Sequence, residues 1–265
     1  MKEILTDVFL RLKIEYYSIL PYSFCREYSS SIRERTGFMP KSAIIYLLPY
    51  FTGEGENISS YATSLDYHIA IKEIGGEVIS LLRERYPDAH FAPFGDHSPI
   101  DERHAALISG LGILGDNGLL INEKYGSYVF IGDILTDIEP PELVPREIRR
   151  CHGCGACKSA CPTAILRKEG NDCLSAVTQR KGELSDSEIA MMRKFNTAWG
   201  CDECQSACPY NKNAEKTPVE FFYRDRISAL TREALDSMSR EEFSRRAFAW
   251  RGRKTVERNL DILKG

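Results

Sequence analysis

Four cysteines in the run CHGCGACKSACP, Cys151, Cys154, Cys157 and Cys161, are followed forty residues later by CDECQSACP, which carries Cys201, Cys204 and Cys208. The first run has the C-x2-C-x2-C-x3-C-P spacing, in which three closely spaced thiolates hold one 4Fe-4S cluster and the cysteine before proline reaches across to another. A chain with this pattern must fold so that two cubanes lie near each other. Cys151, Cys154 and Cys157 bind the first, and the matching pre-proline residue of the second run, Cys208, completes it. Cys161 crosses to the second, where Cys201 and Cys204 leave the set one thiolate short. Two cysteines remain, Cys173 and Cys25. Cys173 lies between the runs, so a short connection folds it onto the cluster without a long loop closure. It is the preferred fourth ligand, and Cys25 is left as a buried free thiol, the usual fate of an isolated cysteine.

Four-cysteine zinc sites use similar C-x2-C pairs, but zinc does not call for two x3-C-P endings that exchange ligands, and eight cysteines divide into two sets of four. Disulfides are disfavoured because nothing indicates export: MKEILTDVFLRLKIEYY has acidic residues and no long apolar core. The longest apolar stretch, AIIYLLP from Ala43, is far short of a membrane span. A cytoplasmic protein without a membrane partner is expected, as a monomer. At 265 residues the chain has room for more than one core. The cysteine region needs only a small part of it, and the residues before it exceed what an electron carrier requires.

Periodicity predicts a short amphipathic helix over residues 1 to 13, with Ile4, Val8, Leu10 and Leu12 among charges. SAIIYLLPYF reads as a buried strand. YATSLDYHIAIKEIGGEVISLLRER is helical, with Gly75 and Gly76 as a kink or break. HFAPF reads as a strand. Ser98 and Pro99 then look like the N-cap and first position of a helix that stops at Gly110. GSYVFIGDILTDI predicts one or two strands, the Pro-rich EPPELVP marks a boundary, and a helical tail holds Phe221, Leu230, Leu235, Met238 and Phe243. The fold class expected is α+β: an N-terminal α/β domain (1–145), a two-cluster ferredoxin-like domain (146–213), and a helical C-terminal segment (214–265) packing on the first.

Gly110, Gly112 and Gly115 satisfy G-x-G-x-x-G literally, but a dinucleotide fingerprint follows a strand and opens a helix, whereas here it follows a helix. These glycines either make a tight turn or let the backbone lie against a large flat ligand.

The stretch DHSPIDERHAALISGLGILGDNGLLINEKYGSYVFIGDILTDI, with YATSLDYH before it and the two cysteine runs after, resembles the epoxyqueuosine reductase family and, more widely, the corrinoid iron-sulfur reductases. The similarity runs from near Ser42 through LDSMSREEF to the ERNL near the end, and is most specific at the cysteines and at D-x-x-P-x-x-E-R. The resemblance implies an oxidoreductase with two 4Fe-4S clusters and a cobalamin bound in the N-terminal domain. It also implies reduction of the epoxide of epoxyqueuosine in a tRNA anticodon loop to the alkene of queuosine, with electrons from an external low-potential donor. It carries the cluster ligands onto all eight cysteines, Cys173 included, and the proton donor onto Asp96. Glu102 and Arg103 become supporting residues, and His68, Gly112, Gly115 and Asn117 candidate corrin contacts. Family members often have Lys-His after the third glycine, where this chain has Asp116 and Asn117.

Removing an epoxide oxygen takes two electrons and two protons, and the leaving alkoxide is poor unless protonated as it departs. Without the resemblance, Asp96 reads as a loop or capping residue, Glu102 and Arg103 as a solvated helix face, and His68 as a core histidine. From Arg240 to Arg258 seven basic residues stand against three acidic ones, in a chain of net charge −3. With Phe248 and Trp250 among the arginines this segment suits RNA backbone and base stacking, or is a charged surface helix. Longer family members continue into a helical-repeat domain, so the chain resembles a short form. Two other readings stand beside tRNA reduction: a corrinoid reductase of another substrate, and a dicluster electron-transfer protein without corrin.

Overall fold

The computed structural model of the chain describes residues 1–28, 32–168 and 172–264. Its contacts form two compact units. The first comprises Met1–Pro49 with His68–Cys151, the second Tyr50–Tyr67 with His152–Gly265.

The first unit is built on a four-stranded sheet of β1 (Tyr17–Pro21), β2 (Ser42–Pro49), β3 (Phe91–Gly95) and a last strand, Val129–Thr136, in the order β1, β2, last strand, β3. Every pairing is antiparallel. The N-terminal unit is therefore α+β and not the α/β domain expected, because no crossover joins parallel neighbours. All eight residues of SAIIYLLP are buried, which explains their continuous apolar character: the central strand is covered on both faces. On one face Ala43, Ile45 and Leu47 pack with Leu20, Leu135 and the buried side of a helix spanning Glu102–Ile108. On the other, the Tyr46 ring meets Phe9, centroids 5.5 Å apart. Phe9 belongs to α1 (Lys2–Arg11), which turns Leu5, Val8 and Phe9 inward at i, i+3, i+4 spacing. Leu10, expected on that apolar face, is 76% exposed.

Helix α2 (Ile32–Thr36) is short, whereas α3 (Tyr67–Arg85) runs through Gly75 and Gly76 unbroken. Gly75 is explained by close approach: a Cβ there would lie 3.1 Å from Pro93 on β3. The next helix, α4 (Glu102–Ile108), ends as predicted, Gly110 adopting φ +78° and donating to the Leu107 carbonyl. Its start differs from expectation. Asp101 is the N-cap, accepting from the His104 N–H, because residues 99–101 are drawn into extended pairing with 26–28. A two-stranded hairpin follows, β4 (Ile113–Leu114) and β5 (Leu120–Ile121), then β6 (Val129–Thr136). The glycine-rich segment gave no strand periodicity, since each strand holds only two residues.

The second unit is mostly short helices: α5 (Ala156–Ala160), α6 (Leu174–Gln179), α7 (Asp186–Lys194), α8 (Glu203–Ser206), α9 (Arg232–Ser237), α10 (Arg240–Ser244) and α11 (Arg253–Lys264). Leu230, Leu235, Phe248, Val256 and Leu260 of the tail close over Ile58, Ala62 and Trp199. Buried Asn259 donates from one amide to the carbonyls of Thr178 and Ala198 at 2.7 and 2.8 Å. That bond pair ties α11 to the segment entering the second cysteine run.

Candidate active site and cluster-binding cysteines

The cysteine runs are shaped by backbone turns. Gly153 and Gly155 take φ +68° and +77°, with open space where a Cβ would sit, so glycine serves the chain reversal there. Cys157 lies on α5, Cys161 just past its end, Cys173 just before α6, Cys204 on α8, and Cys208 before Pro209. Gly200, at φ +75°, accepts no side chain because Ser59 lies against it. Its N–H donates to Thr178 Oγ1 at 3.0 Å, and Asp202 on the other side of Cys201 accepts from the Ser60 N–H at 2.6 Å and from the Ser59 hydroxyl. Cys201 is thus clamped on both sides.

Burial pushes the Cys201 thiol up to about 12, and the neighbouring Cys173 and Cys204 sulfurs push in the same direction. Cys201, Cys173 and Cys204 thus lie near enough to one another for their charges to interact. Cys161 is different. Burial raises its pKa, but backbone N–H groups of Leu166, Thr163 and Ile165 and the Thr163 hydroxyl outweigh it and hold the thiol below its usual range. Such donors also tune a bound cluster's potential. Cys25 belongs to the first unit, packed against the Leu20–Ile45–Leu135 core. Burial first, then the charges of Asp133 and Glu27, lift it to about 12.

In the first unit, Asp96 follows β3 in the left-handed region, φ +63°, with its side chain exposed. Three groups brace its loop. The Arg35 guanidinium of α2 donates to the His97 carbonyl. The Ser98 hydroxyl donates to Asp133 Oδ2 at 3.1 Å. Glu102, in the first turn of α4, accepts from the Asp96 backbone N–H. Asp133 is fully buried in mid-β6, opposite Ile45 and Phe94, and its Oδ1 has no hydrogen-bond partner among the described residues. Burial lifts Asp133 to about 7 against the opposing pull of Ser98 and Arg35. Burial lifts Glu102 to about 8, helped by the charges of Asp133, Asp96 and Asp101.

Arg103 links α4 to the hairpin by donating to the Gly118 carbonyl at 2.6 Å. Gly112 and Gly115 are crowded by their own chain: a Cβ on Gly112 would lie 2.6 Å from the Ile121 carbonyl oxygen, and one on Gly115 would overlap the Asn117 side chain. Those glycines are thereby explained by the hairpin turn without a ligand. Asn117 Oδ1 accepts from the Leu119 N–H at 3.2 Å, while its Nδ2 is buried without a hydrogen-bond partner among the described residues. From the hairpin, the Leu114 carbonyl accepts the Cys151 N–H at 3.0 Å. Within one unit, then, the Asp96 loop bonds to Glu102, the adjoining Arg103 bonds to the hairpin, and the hairpin bonds to Cys151. His68 stands apart from this set, exposed on the first turn of α3 rather than buried in a core.

Residues 150–211, which contain all eight cysteines assigned above, match the 4Fe-4S double cluster binding domain. The epoxyqueuosine reductase of Cyclobacterium marinum is 32% identical over 219 residues, 78% of this chain and 68% of that protein. The chain belongs to the epoxyqueuosine reductase family. The epoxyqueuosine reductase of Listeria monocytogenes is also 32% identical, over 75% of this chain and 54% of its own length. The chain thus spans roughly half to two thirds of the curated relatives it matches. The fold is likewise that of epoxyqueuosine reductases: a crystal structure of one with an epoxyqueuosine-modified tRNA stem loop superposes with TM-score 0.79 at 22% identity, over 99% of this chain and 81% of that one.

Asp133, which holds the loop after Asp96 through Ser98, is a residue that sequence reasoning passed over. A signal existed: an acid in VFIGDILT, a strand otherwise apolar, has to be paired or protonated. The tail needs correction too. Phe248 is fully buried against Trp199 and unavailable for stacking. Arg246, Arg253 and Arg258 donate to carbonyls of Asp225, Met238, Arg180 and others, so much of the basic excess is used inside the fold. Trp250 remains 59% exposed with the Arg251 guanidinium 3.7 Å over its ring.

The raised carboxyls carry a pH signature. An acid that ionises near 4 unfolded but near 7 in the fold, as Asp133 does, binds more protons folded than unfolded across that window. Stability is full below about pH 4, falls as pH rises through the window, and levels off above. Asp133→Asn removes the ionisable group. Denaturant unfolding at about pH 5 and about pH 8 is expected to give a smaller difference in the variant, by up to about 3 kcal/mol; an unchanged difference would place no buried charge at Asp133.

Proposed function

We propose that the chain is a cobalamin- and iron-sulfur-dependent reductase that converts epoxyqueuosine to queuosine in tRNA, working in the cytoplasm as a monomer on electrons from an external low-potential donor. Family membership supports the reaction, and the observation that carries it furthest is that the start of α4 bonds both to the Asp96 loop and to the hairpin that holds the Cys151 N–H. Among the described residues no helix is long and apolar enough to cross a membrane.

Cys151, Cys154, Cys157 and Cys208 would hold one 4Fe-4S cluster, and Cys161, Cys173, Cys201 and Cys204 the other. The charge interaction of Cys201 with Cys173 favours Cys173 over Cys25. A bound cobalamin supplies a low-valent metal able to donate electrons to an electrophilic carbon. Its fit rests on Asn117, whose orphaned buried Nδ2 suits an amide oxygen at a corrin's edge, and on Arg103, which fixes that turn. Asp96 would give a proton to the departing oxygen, and Glu102 and Arg103 would hold the loop and the turn in register. In this reading 1–145 binds the corrin and 146–213 the clusters, while the helical segment 214–265 packs on Ile58 and Ala62 of the N-terminal part of the chain.

A second reading, the same chemistry on another substrate, is favoured by the internal use of Arg246, Arg253 and Arg258. Anaerobic purification with cobalamin supplied separates both from plain electron transfer. We expect about eight irons and one cobalt per chain. Iron without cobalt would leave a dicluster electron carrier.

A further inference from the structure

Cys173 poses a problem of construction. Three ligands of the first cluster come from one short run, whereas Cys173 lies outside both runs and is joined to Cys201 through α6, α7 and the turns between them. Chain connectivity alone does not set the distance between those two sulfurs. A cluster tolerates little error in that distance, so other groups have to fix it.

We infer that Asn259 of α11 is the positioning residue that sets Cys173 and Cys201 at the spacing one cluster needs. The inference rests on the assignment of Cys161, Cys173, Cys201 and Cys204 to that cluster under the proposed function. Asn259 is fully buried. Its amide nitrogen donates to the Thr178 carbonyl at 2.7 Å and the Ala198 carbonyl at 2.8 Å, and its oxygen accepts from Nε and Nη2 of Arg258 at 3.1 and 2.7 Å. The orientation of the amide is therefore settled by its partners. Each carbonyl leads to a ligand. Thr178 belongs to α6, whose first turn is closed by the Val177 N–H donating to the Cys173 carbonyl at 3.0 Å. The Thr178 hydroxyl donates to the Ser175 carbonyl of the same helix at 2.8 Å and accepts the Gly200 N–H at 3.0 Å, and Gly200 adjoins Cys201. Ala198 lies in the segment that enters Cys201. Side-chain packing agrees, since Cys201 packs in one cluster with Leu174, which follows Cys173, and with Ile262 of α11. One amide and one hydroxyl thus join the helix that begins after Cys173 to the segment that delivers Cys201.

The amide is hard to replace. Two N–H groups on one planar nitrogen hold two carbonyl oxygens at a fixed separation, and an aspartate of the same shape would turn an oxygen toward both. The apolar side of α11 is a separate attachment: Val256 and Leu260 belong to the core around Trp199 and Phe248. Bonds and packing of this helix can therefore be disturbed independently.

Electron paramagnetic resonance of the full chain, carrying both clusters and reduced, is read together with iron content. Asn259→Asp is expected to weaken the hold on one cluster by about 10–100-fold, so that one reduced-cluster signal is lost and iron falls from about eight toward about four. The signal lost should be the one that Cys173→Ser removes, and the other should keep its g-values. Thr178→Val, which leaves Asn259 in place, should displace the g-values of that same signal. Val256→Ala, which loosens α11 through packing alone, should keep both signals and about eight irons. Both signals intact in Asn259→Asp, both lost together, an unchanged spectrum in Thr178→Val, or the same cluster lost in Val256→Ala overturns the inference. A wild-type chain with no second reduced-cluster signal overturns the cluster assignment instead, and one with both signals that leaves epoxyqueuosine unreduced overturns the proposed reaction.

Discussion

Asp96→Asn is expected to lower turnover of the epoxide by about 10²–10⁴-fold while iron and cobalt contents stay at wild-type values. The backbone makes this substitution informative. Asp96 sits at φ +63°, where asparagine is among the few residues tolerated without strain, and its N–H to Glu102 survives the change. What disappears is the transferable proton. Alanine would confound chemistry with loop strain, whereas asparagine isolates the chemistry. Near-normal turnover in Asp96→Asn would mean that solvent or Glu102 protonates the oxygen directly, and the role of Asp96 would pass to its neighbours. A loss of cobalt together with activity would mean instead that Asp96 holds the cofactor.

Cys173→Ser is expected to remove one cluster, taking iron from about eight toward about four per chain and abolishing turnover, while Cys25→Ser leaves both unchanged. Cys173 neighbours Cys201 and precedes α6, whose Thr178 in turn holds Gly200. Cys173 is thus built into the same hydrogen-bonded frame as the second run. Cys25 lies in the other unit among aliphatic side chains, and the loss there should be only about 1 kcal/mol of stability from burying a hydroxyl. Iron content and electron paramagnetic resonance of the reduced chain check both variants. Two reduced-cluster signals surviving in Cys173→Ser, or one vanishing in Cys25→Ser, would reverse the assignment.

The cysteine chemistry was legible because ligand spacing is local and chemically narrow: C-x2-C-x2-C-x3-C-P leaves few alternatives, and residues 150–211 match the domain it announces. The central strand was legible because eight consecutive buried residues leave a continuous apolar run. Other features depended on partners distant in sequence. Whether α4 begins at Ser98 or Glu102 is decided by pairing of 99–101 with 26–28, some seventy residues away. Gly75 looked like a helix breaker because nothing local reveals that Pro93 packs against it. The antiparallel sense of the sheet follows from how the last strand inserts between β2 and β3. Asp133 was overlooked for a related reason, since its importance comes from Glu102 and Ser98, thirty residues upstream.

The arginine-rich tail is a case where composition misleads. Seven basic residues in nineteen suggest a nucleic-acid surface, yet Arg246 is buried and donates to the Asp225 carbonyl at 2.6 Å. Arg258 reaches the Arg180 carbonyl at 2.8 Å, helping α11 grip the end of α6. A guanidinium satisfied by backbone carbonyls is a structural clamp, and counting charges does not reveal that. Trp250 is exposed, with the Arg251 guanidinium over its ring.

The most direct test is a single-turnover reaction. The anaerobically purified chain, carrying both clusters and cobalamin and reduced by a low-potential donor, is mixed with a tRNA anticodon stem loop bearing epoxyqueuosine, and the nucleosides are analysed by mass spectrometry. The account predicts queuosine, one oxygen lighter than the starting nucleoside. Unchanged epoxyqueuosine from a chain that holds its iron and cobalt and accepts electrons would contradict it.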